Sequence, residues 1–183
     1  MVNREKTNKI ILAGLMMAMI TVVTMIIPIP IPFTTGYVNL GDAIIFLSVL
    51  ILGWKYGAIA AGVGSALADI FVGATIWAPW TLCIKGGMAI IMGLFIAKTL
   101  HGNGKQFFGI PVYQQLGMAL AGVFMVIGYY IAEGVIYGNF LAATLGIPWN
   151  IGQFVVGIII ASLIATTLYK TPVQKLFTYK IQR

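Results

Sequence analysis

Long apolar runs, separated by short segments that hold most of the charges, constrain the fold of this chain more than any other feature. A run of about 20 apolar residues is long enough to cross the hydrocarbon core of a bilayer as a helix. Only 8% of the 183 residues are charged, whereas a soluble domain has about 25%. The pattern predicts an all-α integral membrane protein, folded as a single membrane domain over residues 1–183. We expect a compact bundle of six transmembrane helices at residues 10–27, 40–52, 58–72, 81–97, 115–137 and 149–169.

The prolines support this segmentation independently of hydropathy. Proline disrupts the interior of a helix because it lacks an N–H group and its ring collides with the preceding turn. Three prolines alternate in residues 28–38, where they favour an extended outer loop. This loop is expected to act either as a lid over a binding site or as a stiff connector. All seven prolines fall at or between the ends of the expected helices: Pro28, Pro30, Pro32, Pro79, Pro111, Pro148 and Pro172.

The basic residues predict the orientation of the chain in the membrane. Cytoplasmic loops carry an excess of lysine and arginine, and with both termini cytoplasmic, ten of the eleven basic residues lie on that side. The exception is Lys85. The net charge of +7 therefore reflects membrane topology rather than binding to nucleic acid. The ten are Arg4, Lys6, Lys9, Lys55, Lys98, Lys105, Lys170, Lys175, Lys180 and Arg183.

The remaining charges converge at one depth near the outer side. A charge at the bilayer centre costs about 2.5 kcal/mol or more, so each one needs a functional or structural reason. We expect a cavity open to the outside, lined by charged, aromatic and amide side chains and suited to a small, flat, polar molecule. Its acids and its single lysine suit a neutral or weakly basic ligand better than an anion. The candidate ligand-binding residues are Asn39, Asp69, Trp77, Trp80, Lys85, Tyr129, Tyr130, Glu133, Trp149, Asn150 and Gln153.

Structural interpretations of these residues stay open at this point. Asp42 lies near a helix start, where an acid caps free amides, so it is not among the candidates. Asp69 and Lys85 could neutralise each other. The tryptophans and tyrosines could be interfacial anchors, and Asn150 and Gln153 could join helices.

The sequence contains no evident motif for catalysis, metal binding or nucleotide hydrolysis. Residues 101–106, HGNGKQ, lack the spacing of a phosphate-binding loop. His101 has no partner at the spacing of metal ligands and is interpreted as an interfacial residue. The chain is therefore expected to have no catalytic residue and to bind neither a metal nor a cofactor.

Four segments, read in order, resemble one family: NLGDAIIFLSVLILG, GAIAAGVGSALADIFVG, APWTLCIKGG and IPWNIGQ. With the six-span layout, they are similar to the substrate-binding S component of energy-coupling factor (ECF) vitamin transporters. The similar branch is the one associated with pyridoxine, hydroxymethylpyrimidine and related thiamine precursors. The resemblance covers nearly the whole chain and implies a multi-pass protein of a prokaryotic cell membrane that binds a vitamin from outside.

The resemblance also implies partners. An S component assembles with a transmembrane T component and two cytosolic ATPases, which use the ATP that this chain has no motif to hydrolyse. The family's small-residue contact on the first helix maps to Gly14 and Ala18, although packing within the chain is the alternative. The family binds its ligands mainly from the last three helices and the outer loops. The resemblance therefore favours residues of those elements over Asp42 as ligand contacts: Trp80, Lys85, Tyr129, Glu133, Asn150 and Gln153.

Three alternatives are kept. The S component could serve another vitamin, such as thiamine or riboflavin. The chain could be a stand-alone secondary transporter with Asp69 or Glu133 as a proton relay, although it has no evident internal repeat. It could also be an intramembrane enzyme that uses Asp69, Glu133 and Lys85 in acid–base chemistry, although no nucleophile–base pair is evident.

Overall fold

The computed structural model describes residues 4–32, 35–99, 106–107 and 109–179. This part of the chain is mostly helical, and five of its helical stretches are long and apolar enough to cross a membrane. Two short 3-10 helices flank the last long helix, one before it at Thr144–Gly146 and one after it at Pro172–Leu176. The helices are α1 (Arg4–Ile26), α2 (Gly41–Phe71), α3 (Ala78–Thr99), α4 (Val112–Tyr137), α5 (Phe140–Ala143) and α6 (Ile147–Tyr169).

Helix α2 lies at the centre of the bundle. It packs against α1, α3 and α6, while α4 packs against α3 and α6. Every residue from Gly41 to Gly53 is buried. A helix surrounded by other helices is apolar all round rather than on one face, which explains the nearly unbroken hydrophobic run in its first half.

The chain reverses direction inside α2, at Gly53. This residue has φ 77° and ψ 176°, which is not a helical conformation and is open mainly to glycine. A Cβ added at Gly57 would lie 3.1 Å from the Cα of Val49, whereas eight residues of straight helix would separate those positions by about 12 Å. The spans expected at residues 40–52 and 58–72 are therefore joined by a sharper turn than predicted, and helix resumes directly after one glycine.

Other expected helix boundaries were wrong by about one turn. Helix α3 begins at Ala78 rather than at residue 81, and it includes Pro79. The first turn of a helix accepts proline because its amides have no partner within the helix. Helix α4 begins at Val112, directly after Pro111. The expected loop at residues 138–148 contains the short helix α5 and the start of α6.

The predicted extended loop at residues 28–38 is confirmed as a pair of short strands. Strand β1 (Ile29–Pro30) pairs antiparallel with β2 (Tyr37–Val38). A second pair, β3 (Gln106–Phe107) with β4 (Ile110–Pro111), precedes α4. His101, Lys105, Lys180 and Arg183 lie outside the described residues, so the sequence interpretations that involve them stay predictions.

Small residues allow the second half of α2 to approach both of its neighbours closely. A Cβ added at Gly62 would lie 2.8 Å from the carbonyl oxygen of Leu82 in α3, and one at Gly64 would lie 2.8 Å from that of Met17 in α1. The hydroxyl of Thr21 donates a hydrogen bond of 2.8 Å to the carbonyl of Gly64. These contacts hold α1, α2 and α3 together at backbone distance, as small residues do between membrane helices.

The C-terminal segment closes the end of the bundle where α2 reverses. A helix that ends leaves its last carbonyls without donors. Here the amides of Thr178 and Tyr179 donate to the carbonyls of Ile51 and Leu50, at 3.0 Å and 3.1 Å. The phenol of Tyr179 donates to the carbonyl of Gly93 at 2.8 Å. The segment thus supplies the donors that the reversal in α2 removes.

Candidate ligand-binding site

A cavity lies at the opposite end of the bundle, beneath the β1–β2 strand pair. Counting its open mouth, it encloses about 440 Å³ of space free of protein atoms, and its inner part is narrow. Aromatic rings alternate in its wall with charged and amide groups, the composition of pockets that hold small polar ligands. It is lined by Thr24, Ile31, Gly36, Tyr37, Asn39, Ser65, Asp69, Trp77, Thr81, Lys85, Tyr129, Glu133 and Asn150.

A buried ion pair lies beside the cavity. The ammonium of Lys85 donates to Oδ1 of Asp42, and the two residues are 2% and 0% exposed. The amide of Gln153 donates to Oδ2 of Asp42 at 2.8 Å, while its own oxygen accepts from the backbone N–H of Asn39 at 2.8 Å. The Lys85 ammonium also lies 2.9 Å from the sulfur of Met125. The network joins α2, α3, α4 and α6 at one point.

This network corrects two interpretations of the sequence. Asp42 does not cap the start of α2, because both of its oxygens face Lys85 and Gln153. The side chain of Asn39 accepts from the N–H of Gly41 at 2.8 Å instead. The ion pair of Lys85 is formed with Asp42 and not with Asp69.

Asp69 is held by the strand pair above the cavity. The phenol of Tyr37, in β2, donates a hydrogen bond of 2.5 Å to Oδ1 of Asp69. Burial, this hydrogen bond and the charge of Asp69, in that order, raise the pKa of the Tyr37 phenol above its usual range, so the phenol stays protonated and remains the donor. Asp69 is 3% exposed, and its Oδ2 has no hydrogen-bond partner among the described residues.

Glu133 is the second buried acid of the cavity. It is 2% exposed, and its Oε2 likewise has no hydrogen-bond partner in the described part of the chain. The side chain of Asn150, from α6, interacts with the same carboxyl group. Gly146 packs directly against it, because a Cβ at that position would overlap both carboxyl oxygens. A larger residue at position 146 would therefore require the carboxyl group of Glu133 to move.

Aromatic rings form the wall of the cavity on the side of α3 and α4. The ring of Trp77 lies 6.3 Å from that of Tyr129 and 6.2 Å from that of Tyr137, tilted by 55° and 74°. Such tilted and edge-on contacts are favourable between aromatic rings. The ammonium of Lys85 lies 5.3 Å from the centre of the Tyr129 ring, and the hydroxyls of Thr81 and Tyr129 are 3.2 Å apart. Ring faces and hydroxyls are therefore both presented to the cavity.

Comparison with known proteins shows the family. A family model described as the S component of an ECF-type riboflavin transporter matches residues 4–170. The chain belongs to the ECF-type S components. As a member of that family with several helices able to cross a bilayer, it is a multi-pass membrane protein. The family consists of transport subunits and not of enzymes.

Similar proteins of known description differ in the vitamin or precursor that they are named for. The S component is 26% identical over 172 residues to the thiamine precursor transporter HmpT of Lactococcus lactis subsp. cremoris, covering 93% of each chain. It is 42% identical over 119 residues to an uncharacterised protein of Pyrococcus woesei, covering 65% of this chain and 74% of that one. Its fold matches a crystal structure of the S component for biotin with a TM-score of 0.75 and 20% identity, over 97% of this chain and 98% of that one.

The cavity brings together seven of the eleven residues that the sequence proposed for ligand binding. Trp80 is half-buried and packs against the hydrophobic core. Tyr130 has its ring 5.7 Å from that of Phe140. Trp149 is 40% exposed and, with Gln153, lines a separate apolar groove. The seven in the cavity are Asn39, Asp69, Trp77, Lys85, Tyr129, Glu133 and Asn150.

Several lining residues were missed from the sequence. Ser65 and Thr81 each lie four residues before a charged residue of the site, so they share its helix face, and this spacing could have identified them. Tyr37 lies in the proline-rich loop, and no pattern in the sequence links its phenol to an acid 32 residues later. A hydrogen bond between residues distant in the sequence leaves no pattern in the residues around either partner.

The small-residue pair on α1 faces away from the bundle. Gly14 and Ala18 are both exposed, and a Cβ added at Gly14 would meet no atom within 4 Å in the described structure. Ile11, Leu15 and Val22 are also exposed on this helix. Gly14 is therefore not used for packing against the described part of the chain.

Proposed function

We propose that this S component binds a small, flat vitamin precursor from outside the cell and delivers it inward with an ATPase-driven partner module. Hydroxymethylpyrimidine and pyridoxine are the favoured ligands. The observation that carries the proposal is the narrow cavity that aromatic rings and two buried carboxyl groups line together. One ring with a few polar substituents suits such a space, since the rings can stack and the acids can accept hydrogen bonds.

One relative, the thiamine precursor transporter, supports a ligand of this size. The thiamine precursor transporter matches this chain over 93% of its length, and a thiamine precursor is smaller than riboflavin. Thiamine and riboflavin are the alternatives within the family. A ligand with three fused rings would require a larger rearrangement of the strand pair than a single ring.

We also propose that the two halves of α2 are separate crossings, which gives six membrane helices with both termini in the cytoplasm. The reversal at Gly53 and the positive-inside rule support this topology. The first half, Gly41 to Leu52, would be about 18 Å long, shorter than a hydrocarbon core of about 30 Å. The cavity would then open to the outside.

The proposed partners are a T component in the membrane and two cytosolic ATPases, which would supply the energy of transport. The exposed face of α1 at Gly14 and Ala18 is the proposed contact with the T component. Small residues allow another helix to approach the backbone closely. The open space at Gly14 supports this role, since the residue is not needed for packing against the described chain.

Mass spectrometry of the ligand released from the purified protein tests the substrate directly. We expect hydroxymethylpyrimidine or pyridoxine, and recovery of riboflavin or thiamine would replace them. Calorimetric titration with the identified ligand then tests the site. Glu133→Ala should weaken binding by about tenfold or more, since a hydrogen bond to a charged group contributes about 1.5–3 kcal/mol. Glu5→Ala, at an exposed acid of α1, is the control. Unchanged affinity of Glu133→Ala would remove Glu133 from the site.

Uptake by cells that express the partner subunits tests the contact on α1. Gly14→Leu should leave ligand binding unchanged and abolish uptake, because the larger side chain keeps the partner helix away. Ala97→Leu, at an exposed position of α3, is the matched control and should transport normally. Normal uptake by Gly14→Leu would exclude this docking surface.

A further inference from the structure

The charges that face the cavity do not balance. Among the described residues that line it, Lys85 is the only cation and Asp69 and Glu133 are the two acids. The ammonium of Lys85 is bound by Asp42, which is fully buried outside the lining. Lys85 is thus neutralised by a different acid, and the described lining keeps two carboxyl groups without a cation of their own.

Each of these carboxyl groups also has an oxygen without a donor. Oδ2 of Asp69 and Oε2 of Glu133 are buried and have no hydrogen-bond partner within the described residues. Both residues are at least nine-tenths buried and line the same cavity. A buried acceptor without a donor costs about 1–3 kcal/mol, and more when it is charged. A ligand with N–H donors would recover this free energy on binding.

Three hydroxyl groups that line the cavity are already hydrogen-bonded, those of Tyr37, Thr81 and Tyr129. The phenol of Tyr37 donates to the other oxygen of Asp69. The hydroxyls of Thr81 and Tyr129 pair with each other at 3.2 Å. The ring of Tyr129 lies 5.3 Å from the ammonium of Lys85, so its face already attracts positive charge. The described lining therefore offers a ligand two carboxyl oxygens without a donor and a ring face that attracts positive charge.

We infer that the ligand is a basic heterocycle with an exocyclic amino group, which donates N–H bonds to Asp69 and Glu133. An oxo substituent in the place of the amino group accepts hydrogen bonds instead of donating them, so it would not satisfy a carboxyl oxygen beside it. The inference rests on the proposed function and selects among its ligands. It favours an aminopyrimidine over pyridoxine, which has no amino substituent.

The test compares two probes of nearly equal size. One is hydroxymethylpyrimidine with its amino group, and the other is the analogue in which oxo replaces amino. Calorimetric titration of the purified protein should give an affinity at least about tenfold higher for the amino form, because a site built around a hydrogen bond rejects the analogue that lacks the donor. Glu133→Gln and Asp69→Asn keep the shape of each side chain and remove its charge. Each should bring the ratio of the two affinities closer to one, whereas Glu5→Gln should leave it unchanged.

The outcomes separate this inference from the proposed function. Equal binding of the two probes, or tighter binding of the oxo form, would overturn the inference and leave the proposed function standing. If both folded variants kept the full preference for the amino probe over the oxo probe, the inference would also be overturned, since neither acid would then bind the amino group. Binding of neither probe by the native protein would also overturn the inference, and would leave pyridoxine as the favoured ligand of the proposed function. Helical circular dichroism establishes that each variant is folded, and two variants keep the test valid if one is not.

Discussion

Replacement of Lys85 by methionine should destabilise the protein strongly, because it leaves Asp42 as a buried charge without its cation. Lys85 and Asp42 are almost completely buried. After the change, Asp42 keeps only the hydrogen bond from Gln153. Loss of one partner of a buried ion pair costs about 3–5 kcal/mol. Asp42→Asn should cost a similar amount, because it leaves the ammonium of Lys85 buried without the acid that pairs with it.

The double variant Asp42→Asn/Lys85→Met should be more stable than the sum of the two changes predicts. No buried charge remains in it, and the asparagine can still bond to Gln153. We expect a total cost of about 1–2 kcal/mol, the value of one or two neutral hydrogen bonds. The coupling between positions 42 and 85 should therefore exceed about 2 kcal/mol. Unfolding in mixed micelles with a denaturing detergent, followed by circular dichroism, measures these free energies.

An exposed ion pair in the same chain provides the control. Glu5 and Lys9 form a pair of 3.2 Å on α1, with side chains 78% and 44% exposed. A pair of this kind on a helix surface contributes about 0.3–0.5 kcal/mol. A double-mutant cycle with Glu5→Gln and Lys9→Met should show a coupling free energy no larger than about 0.5 kcal/mol. Additive effects at Asp42 and Lys85, or equal coupling in the two cycles, would refute the argument from buried charge.

Three further predictions concern the loop, the reversal and the C-terminal segment. Tyr37→Phe removes the hydrogen bond to Asp69 and should speed amide hydrogen exchange in β2. Unchanged exchange of the β2 amides would show that this bond does not hold the strand in place. Gly53→Ala should lower the free energy of unfolding by about 1–3 kcal/mol, because residue 53 has a positive φ. Gly152→Ala is the control: its added Cβ meets no atom within 4 Å, and it should change the free energy of unfolding by less than about 1 kcal/mol. Equal effects of the two substitutions would argue against backbone strain at Gly53. Deletion of residues 177–183 removes four hydrogen bonds that the described part of this segment donates to the bundle, at about 1 kcal/mol each, and should lower the melting temperature. A melting temperature equal to that of the undeleted chain would exclude this contribution.

The helices could be predicted from the sequence because lipid requires long apolar runs and proline marks their ends. The reversal at Gly53 was harder to place. Its neighbours Trp54 and Lys55 suit an interfacial loop, yet they are already helical. A single positive φ is enough to reverse the chain, so no longer turn is needed. Hydropathy has no signal for such a sharp change of direction.

The sequence could predict that the charged residues of the site lie at a similar depth in the membrane. It could not predict which side chains they pair with. Topology placed Asp69, Lys85 and Glu133 at one level of the membrane, and all three line the cavity. The pairing of Lys85 with Asp42 joins residues 43 positions apart. Asp42 was judged by its position near a helix start, whereas its direction depends on how α2 packs against α3 and α6. Side-chain direction across a bundle is set by tertiary packing and leaves no local pattern.

The donors of Thr178 and Tyr179 have a consequence for biosynthesis. The hydroxyl and amide of Thr178 reach a carbonyl 127 residues earlier in the chain. At about 5–20 residues per second, the ribosome adds those residues in roughly 6–25 s. During that interval the carbonyls of Ile51 and Leu50 lack the donors that Thr178 and Tyr179 later provide. Only a chain translated as far as Thr178 and Tyr179 can pair these carbonyls, so a product that stalls before them would leave these backbone acceptors without the two amide donors.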